Sequence, residues 1–341
     1  MALSLIEYAE AGHFLTRAEA ETVMEELLTG RVETPEIVRL MRALNRRPIQ
    51  VAELAGFASV MRRHAAPVFG AGETRPLHMV DTCGTGGDNS GTFNISTAAA
   101  IVAAAAGARV AKHGNRSASS QSGSADVLEA LRVRIDLPLE RYGQAIREIA
   151  IGFLFAPAAH AATRHAVAAR KQIGTRTFFN LLGPPTNPAG AQSQVAGVYS
   201  SEVLDLMAAT LAELGVEHAF VVHGAGGLDE ISIAGETLVV EVKDGVVRRF
   251  TMTPEDFGVS RAPVDALAGG TPEENAQMIR EIFAGGSGPA RDIVILNASA
   301  ALVAAGVAGD FREGAHLAGV AIASGAAREK LAALVAFTNA G

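Results

Sequence analysis

Tryptophan is absent from this 341-residue chain, and cysteine occurs once, at Cys83. A single thiol excludes an internal disulfide and a four-cysteine zinc site. It suits a reducing compartment, so a cytoplasmic protein is expected. Long apolar runs are missing too. The longest, Ala98 to Ala108, has 11 residues, against the ~20 that a bilayer-spanning helix needs. No membrane span is therefore expected. Met1 to Glu7 lack a basic segment, and we expect no signal peptide. Basic residues are outnumbered, 29 Lys and Arg against 36 Asp and Glu, giving a net charge of −7. General nucleic-acid binders are basic, so no nucleic-acid partner is expected, although a local anion site is compatible with this balance. The 36 glycines follow no triplet period, which excludes collagen. Hydrophobic residues at 49% and charged residues at 19% exclude a disordered chain.

What is present divides in two, as expected at about 150 residues per domain. Residues 1 to about 66 show helical spacing only. Thr16 and Glu19 form a capping box, Val23, Leu27 and Leu28 share a face, and Gly30 can close that helix. Thr34-Pro35 opens a second stripe of Ile37, Leu40, Met41 and Leu44, and Val51 to Met61 carry a third. Pro67 to Pro76, with Gly70 and Gly72, reads as a linker. Beyond it, short apolar strands alternate with helices. Leu77–Val80, Ala108–Ala111, Ala219–Val222 and Ile293–Leu296 read as strands. Ser96–Ala106, Leu204–Leu214, Asn275–Phe283 and Arg328–Ala336 read as helices. This alternation predicts an α/β domain with a mostly parallel sheet covered by helices.

The first chemical signal is Asp81-Thr82-Cys83-Gly84-Thr85-Gly86-Gly87-Asp88, between a strand and the helix opening at Asn94-Ile95-Ser96-Thr97. Glycines let backbone amides approach an anion, and the helix end adds partial positive charge. The loop is neither a dinucleotide fingerprint nor a Walker loop. Alone, a glycine cluster is a turn. The next segment adds weight. No acid occurs in the 37 positions between Asp88 and Asp126, where average composition gives about four. The same window holds Arg109, Lys112 and Arg116, and a serine run from Ser117 to Ser124. An acid-free, donor-rich window at two strand ends points to an anion site at the carboxyl edge of the sheet.

A second signal is Asp229-Glu230, on the glycine-rich loop after Ala219–Val222. Paired carboxylates beside a polyphosphate site suit magnesium. A third is Arg170, Lys171 and Arg176 before Phe178-Phe179. A guanidinium there could grip a carboxylate, but spacing does not single out one cation. Cys83 has no histidine near it in sequence and reads as a small filler. His13, His64, His78, His160, His165 and His316 show no metal-ligand spacing.

These motifs, with Lys112-His113-Gly114-Asn115-Arg116, Phe179-Asn180-Leu181-Leu182-Gly183-Pro184 and Leu228-Asp229-Glu230, resemble the anthranilate phosphoribosyltransferases of tryptophan biosynthesis over essentially the whole chain. The resemblance implies a homodimer with a helical domain (1–70, rejoined by 165–190) hinged on an α/β domain (76–164 and 191–341). It implies that phosphoribosyl pyrophosphate meets Gly84, Gly87, Asp88, Thr92, Asn94, Ile95, Ser96, Thr97, Lys112, His113, Gly114, Asn115, Arg116, Ser117, Ala118, Ser119, Ser120 and Ser124. Ser96, Asp229 and Glu230 would hold magnesium, two ions per protomer. Gly84, Asn115 and Arg170 would meet anthranilate. An aniline-type amine is already a free base at neutral pH, so no general base is nominated. The chain departs from the family pattern at Asn89, at Pro185 and at Arg46-Arg47-Pro48. Two rivals are a pyrimidine nucleoside phosphorylase and a non-catalytic nucleic-acid-binding paralogue. The Lys112-to-Ser124 run does not resemble the first. Asp229-Glu230 and the acidic balance speak against the second.

Overall fold

The computed structural model describes residues 1–117 and 121–340. Four helices open the chain: α1 (Ala2–Glu10), α2 (Arg17–Leu28), α3 (Thr34–Asn45) and α4 (Val51–Arg63). The capping box forms at α2, where Thr16 Oγ1 accepts from the Glu19 amide at 3.3 Å and Glu19 accepts from the Thr16 amide at 2.9 Å. Gly30 follows with φ +72°, a conformation that costs glycine little. At the start of α4, Glu53 is fully buried. It accepts from the Leu15 and Gln50 amides at 3.0 and 2.9 Å and pairs with Arg47. Arg47 also donates to the His13 carbonyl at 2.9 Å, so the departure at Arg46-Arg47-Pro48 anchors the bundle.

The sheet then begins with β1 (Met79–Asp81), α5 (Ile95–Ala105), β2 (Arg109–Gly114), α6 (Ser124–Ala130), α7 (Leu139–Ile149) and β3 (Ile151–Phe155). A short α8 (Ala156–Ala159) and α9 (Arg164–Ile173) follow, and α9 packs on α2 and α3. Next come β4 (Ser193–Gly197), α10 (Leu204–Glu213), β5 (His218–Gly224), β6 (Thr237–Lys243) and β7 (Val246–Met252). Helices α11 (Pro272–Phe283), α12 (Pro289–Ala304), α13 (Phe311–Ala323) and α14 (Ala326–Asn339) complete the chain.

The sheet order is β3-β2-β1-β4-β5-β6-β7. The first five strands are parallel, and β6 and β7 are antiparallel. The β6–β7 hairpin was not expected. It turns at Asp244-Gly245, both at positive φ, which is the Asp-Gly signature of a tight hairpin. Ile293–Leu296, expected as a strand, lies inside α12. A four-residue apolar run does not distinguish a strand from a buried helix. Here the run continues through residues 298–302, buried on every side, between α5 and α13.

Strand alternation separates two cores. Phe220 and Val222 belong to the core under α5 and α12, whereas Ala219 and Val221 belong to the core shared by α10 and the helical bundle. The chain moves from β1 outward to β2 and β3, then returns to β4 on the opposite side of β1. The neighbours β1 and β4 therefore part at their carboxyl ends. Ligands in open parallel sheets bind in that crevice.

Candidate active site

Three loops meet at the crevice. The glycine loop leaves β1 with Gly86, Gly87 and Gly91 at φ +65°, +77° and +67°, and Asn89 at +58°. Its approach to the neighbouring strands is close. A Cβ on Gly84 would lie 2.8 Å from Asp229 Oδ2, and one on Gly197 would collide with the Asp229 carbonyl. The Thr85 amide donates to Gly197 O at 2.8 Å, and the Tyr199 amide to Thr85 Oγ1 at 3.1 Å.

Asp229 Oδ2 accepts from the Gly86 amide at 2.8 Å, and Glu230 Oε1 from the Ser96 amide at 3.0 Å. Asp88 Oδ2 accepts from the Asp229 amide at 3.3 Å. Three acids therefore crowd against the glycine loop and the start of α5. Removal from water, then the charge of Asp88, raises the pKa of Asp229. Removal from water, then Asp229, raises that of Glu230. Asn297 on α12 fixes the next residue, accepting from the Ile231 amide at 2.9 Å and donating to its carbonyl at 3.1 Å. Mutually repelling oxygen donors with Ser96 beside them fit a hard divalent cation such as magnesium.

Lys112 is buried. Its Nζ donates to Thr82 O at 3.0 Å, Thr82 Oγ1 at 3.1 Å and Ser96 Oγ at 3.4 Å. It lies under the loop as the counter-charge to Asp81 and Glu230. Arg109, in the same acid-free window, stands at the opposite end of β2, where it donates to Ile146 O. The window's cations therefore do not converge. Arg116 is held by Asp126 and Glu129 at 2.8 and 2.6 Å. Asp126 also gathers the Ser117 and Gly123 amides at 3.1 and 2.9 Å. Ser124 Oγ closes the loop by bonding the Asn115 amide and carbonyl, both at 3.1 Å. Ala118, Ser119 and Ser120 lie outside the described residues.

His113 turns its ring to Gly183 O at 3.2 Å and edge-on to His160 at 5.3 Å. Burial holds both imidazoles neutral, His113 at about 3 and His160 at about 4. Arg170 ends α9 with its guanidinium 5.4 Å from the Phe179 ring centre. Among the described residues no carboxylate pairs with it. Burial pushes the Cys83 thiol well up, which suits a filler and not a nucleophile.

Sequence reasoning passed over Asp81 and Asn187. Asp81 is fully buried. It accepts from the His113 amide at 3.0 Å and from Asn187 Nδ2 at 2.7 Å. Asn187 also donates to Ala111 O at 2.7 Å, tying the 178–190 segment to β1 and β2. Asp81, Cys83 and His113 bring potential metal-ligand atoms within 4.8 Å of one another, but the Asp81 carboxylate is engaged by these bonds. Arg176 was also unassigned. It donates to Gly87 O, lies over Tyr199 at 4.2 Å, and has its carbonyl held by Asn45 at 2.8 Å.

A mostly parallel sheet with a glycine-rich loop at its switch point, joined to a helical bundle, is the two-domain arrangement of a glycosyl transferase family. Residues 4–65 match the helical bundle domain of a glycosyl transferase family, and residues 77–328 match its a/b domain. An anthranilate phosphoribosyltransferase of Symbiobacterium thermophilum is 49% identical, covering 98% of this chain and 97% of its own. The solved anthranilate phosphoribosyltransferase of Thermus thermophilus superposes with a TM-score of 0.92 at 46% identity over the whole of both chains. That of Saccharomyces cerevisiae, solved in complex with PRPP and Mg, gives 0.88 at 26% identity over 99% and 97%. The chain belongs to the anthranilate phosphoribosyltransferase family.

Proposed function

We propose that the chain transfers the phosphoribosyl group of phosphoribosyl pyrophosphate to the amine of anthranilate, giving N-(5-phosphoribosyl)anthranilate and pyrophosphate. The observation that carries this reading is the meeting of the glycine loop, the α5 N-terminus and Asp229-Glu230 at one crevice. We assign Gly84, Gly87, Asp88, Thr92, residues 94–97, residues 112–120 and Ser124 to phosphoribosyl pyrophosphate. Ser96, Asp229 and Glu230 would hold magnesium, two ions per protomer. Bound there, magnesium offsets the charge of the departing diphosphate.

The chain's own part is positioning. Loop amides and the end of α5 offer donors to the diphosphate. Lys112 adds a fixed positive charge below them. Arg170, with Gly84 and Asn115, orients anthranilate by its carboxylate so that the amine faces ribose C1. Anthranilate's amine carries a free lone pair at neutral pH, so holding the two substrates together supplies the remaining rate gain. We assign the bundle (1–70 with 165–190) and the α/β domain (76–164 and 191–341) to opposite walls of the cleft. A homodimer is supported by exposed Leu3, Phe14 and Val167 on and beside helices that flank α3. No helix among the described residues is long and apolar enough to cross a membrane, and we place the enzyme in the cytoplasm.

The test is direct. Anthranilate fluorescence should fall when phosphoribosyl pyrophosphate and magnesium are added, with one pyrophosphate released per anthranilate consumed. Unchanged fluorescence with both substrates saturating overturns the assignment.

A further inference from the structure

Asn275 takes no part in the assignments above. It lies in the first turns of α11, and its side chain is 2% exposed. Its Oδ1 accepts from the Gly270 amide at 2.8 Å. That bond sets the direction of the amide, because a backbone N–H only donates. Asn275 Nδ2 must therefore face Asn94, where it donates to Oδ1 at 3.0 Å. The same Asn94 oxygen accepts from Ser122 Oγ at 3.1 Å, and Asn94 Nδ2 donates to Ser122 O at 3.1 Å. Reversing either amide sets oxygen against oxygen or N–H against N–H. The relay has one sense, begun by Gly270.

Packing reinforces it. A Cβ on Gly269 would come within 2.7 Å of Phe93 backbone atoms and 2.8 Å of Asn275 Oδ1. The Gly269 amide donates to Gly91 O at 2.9 Å, and the Phe93 amide to Leu267 O at 3.1 Å. The approach to α11 is thus laced to the glycine loop. Asn94, in turn, joins the start of α5 to the closing end of the serine loop.

We propose that Asn275 is a positioning residue for phosphoribosyl pyrophosphate. It orients the Asn94 amide and, through Asn94, holds Ser122, at the closing end of the serine run, against the N-terminus of α5. This rests on the assignment of those two segments to that substrate.

Asn275→Asp is the sharpest test. It keeps the side chain's shape and the Gly270 bond but sets an oxygen against Asn94 Oδ1. The KM for phosphoribosyl pyrophosphate should rise about tenfold, the effect expected of one lost buried hydrogen bond. The KM for anthranilate should rise clearly less, since Arg170, which holds its carboxylate, lies on α9, away from this network. Asn275→Ala should move the same constant in the same direction, and decides the question should Asn275→Asp not fold. The effects of Asn275→Ala and Ser122→Ala should combine to less than their product, as expected within one network. An unchanged phosphoribosyl pyrophosphate KM in a folded variant, or an equal rise in both constants, overturns the proposal. Wild-type enzyme in the same assay separates the two questions: absence of transfer there defeats the reaction itself.

Discussion

Arg170 stands over Phe179 with no acidic partner among the described residues, and anthranilate brings one carboxylate. A hydrogen bond to a charged group contributes about 1.5–3 kcal/mol. Arg170→Ala should therefore raise the anthranilate KM roughly ten- to a hundredfold. The phosphoribosyl pyrophosphate constant should change much less. Arg170→Lys should rescue only partly, because an ammonium lacks the planar fork. Steady-state kinetics with each substrate varied in turn decides the matter; a shift confined to phosphoribosyl pyrophosphate assigns Arg170 to the phosphates. Replacing Asp229 and Glu230 together by Ala should lower turnover at least about tenfold, or ~1.4 kcal/mol on the barrier. Magnesium should also raise the melting temperature of the wild type and leave that of the double variant unchanged. Full turnover of that double variant removes these acids from metal binding. The glycine loop and Asp229-Glu230 were legible in sequence because positive φ and paired acids leave local traces. Asp81 with Asn187, and Asn94 with Asn275, were not. Each pair joins residues more than a hundred positions apart, and no spacing along the chain records such a bond.

Among elements, the bundle depends on a buried charge. Glu53 is fully enclosed, and Arg47 is its counter-ion. Removing one partner of a buried pair costs about 3–5 kcal/mol, more than an exposed pair contributes. Arg47→Ala should destabilise by that order in a denaturant titration, and adding Glu53→Gln should recover part of the loss. A change below about 1 kcal/mol means that Glu53 reaches water. The capping box of α2 was legible because its two residues are three apart. The identity of α12 was not, since Ile293–Leu296 fits either periodicity and the surrounding packing decides. The β6–β7 hairpin did leave a trace, Asp244-Gly245 between valine-rich runs, which an Asp-Gly search would have found.

At the scale of the molecule, His113 and His160 make stability depend on pH. Their folded pKa values are about 3 and about 4, against ~6.5 in an unfolded chain. Lowered values mean that the contribution is complete above about 6.5 and is lost as pH falls toward the folded values. Asp229 and Glu230, whose values are raised, act in the opposite sense, so a difference between variants is the clean measure. The stability gap between wild type and His160→Gln should narrow by about 2 kcal/mol from pH 7.5 to pH 5. A gap that does not move means that His160 protonates freely in the folded protein.

The pairing of β1 with β4 joins Val80 to Ser193, and it bears on how the enzyme comes into being. The glycine loop acquires its acidic neighbours only after Glu230 has been made. At roughly 5–20 residues per second, ribosomes take about seven to thirty seconds to travel from Gly84 to Glu230. Until β4 (Ser193–Gly197) follows, one edge of β1 has no permanent neighbour, and unpaired strand edges invite association between chains. Contacts this remote along the chain also form slowly in refolding. Recovery of substrate binding should thus be the last event observed, behind the return of helical signal from the N-terminal bundle.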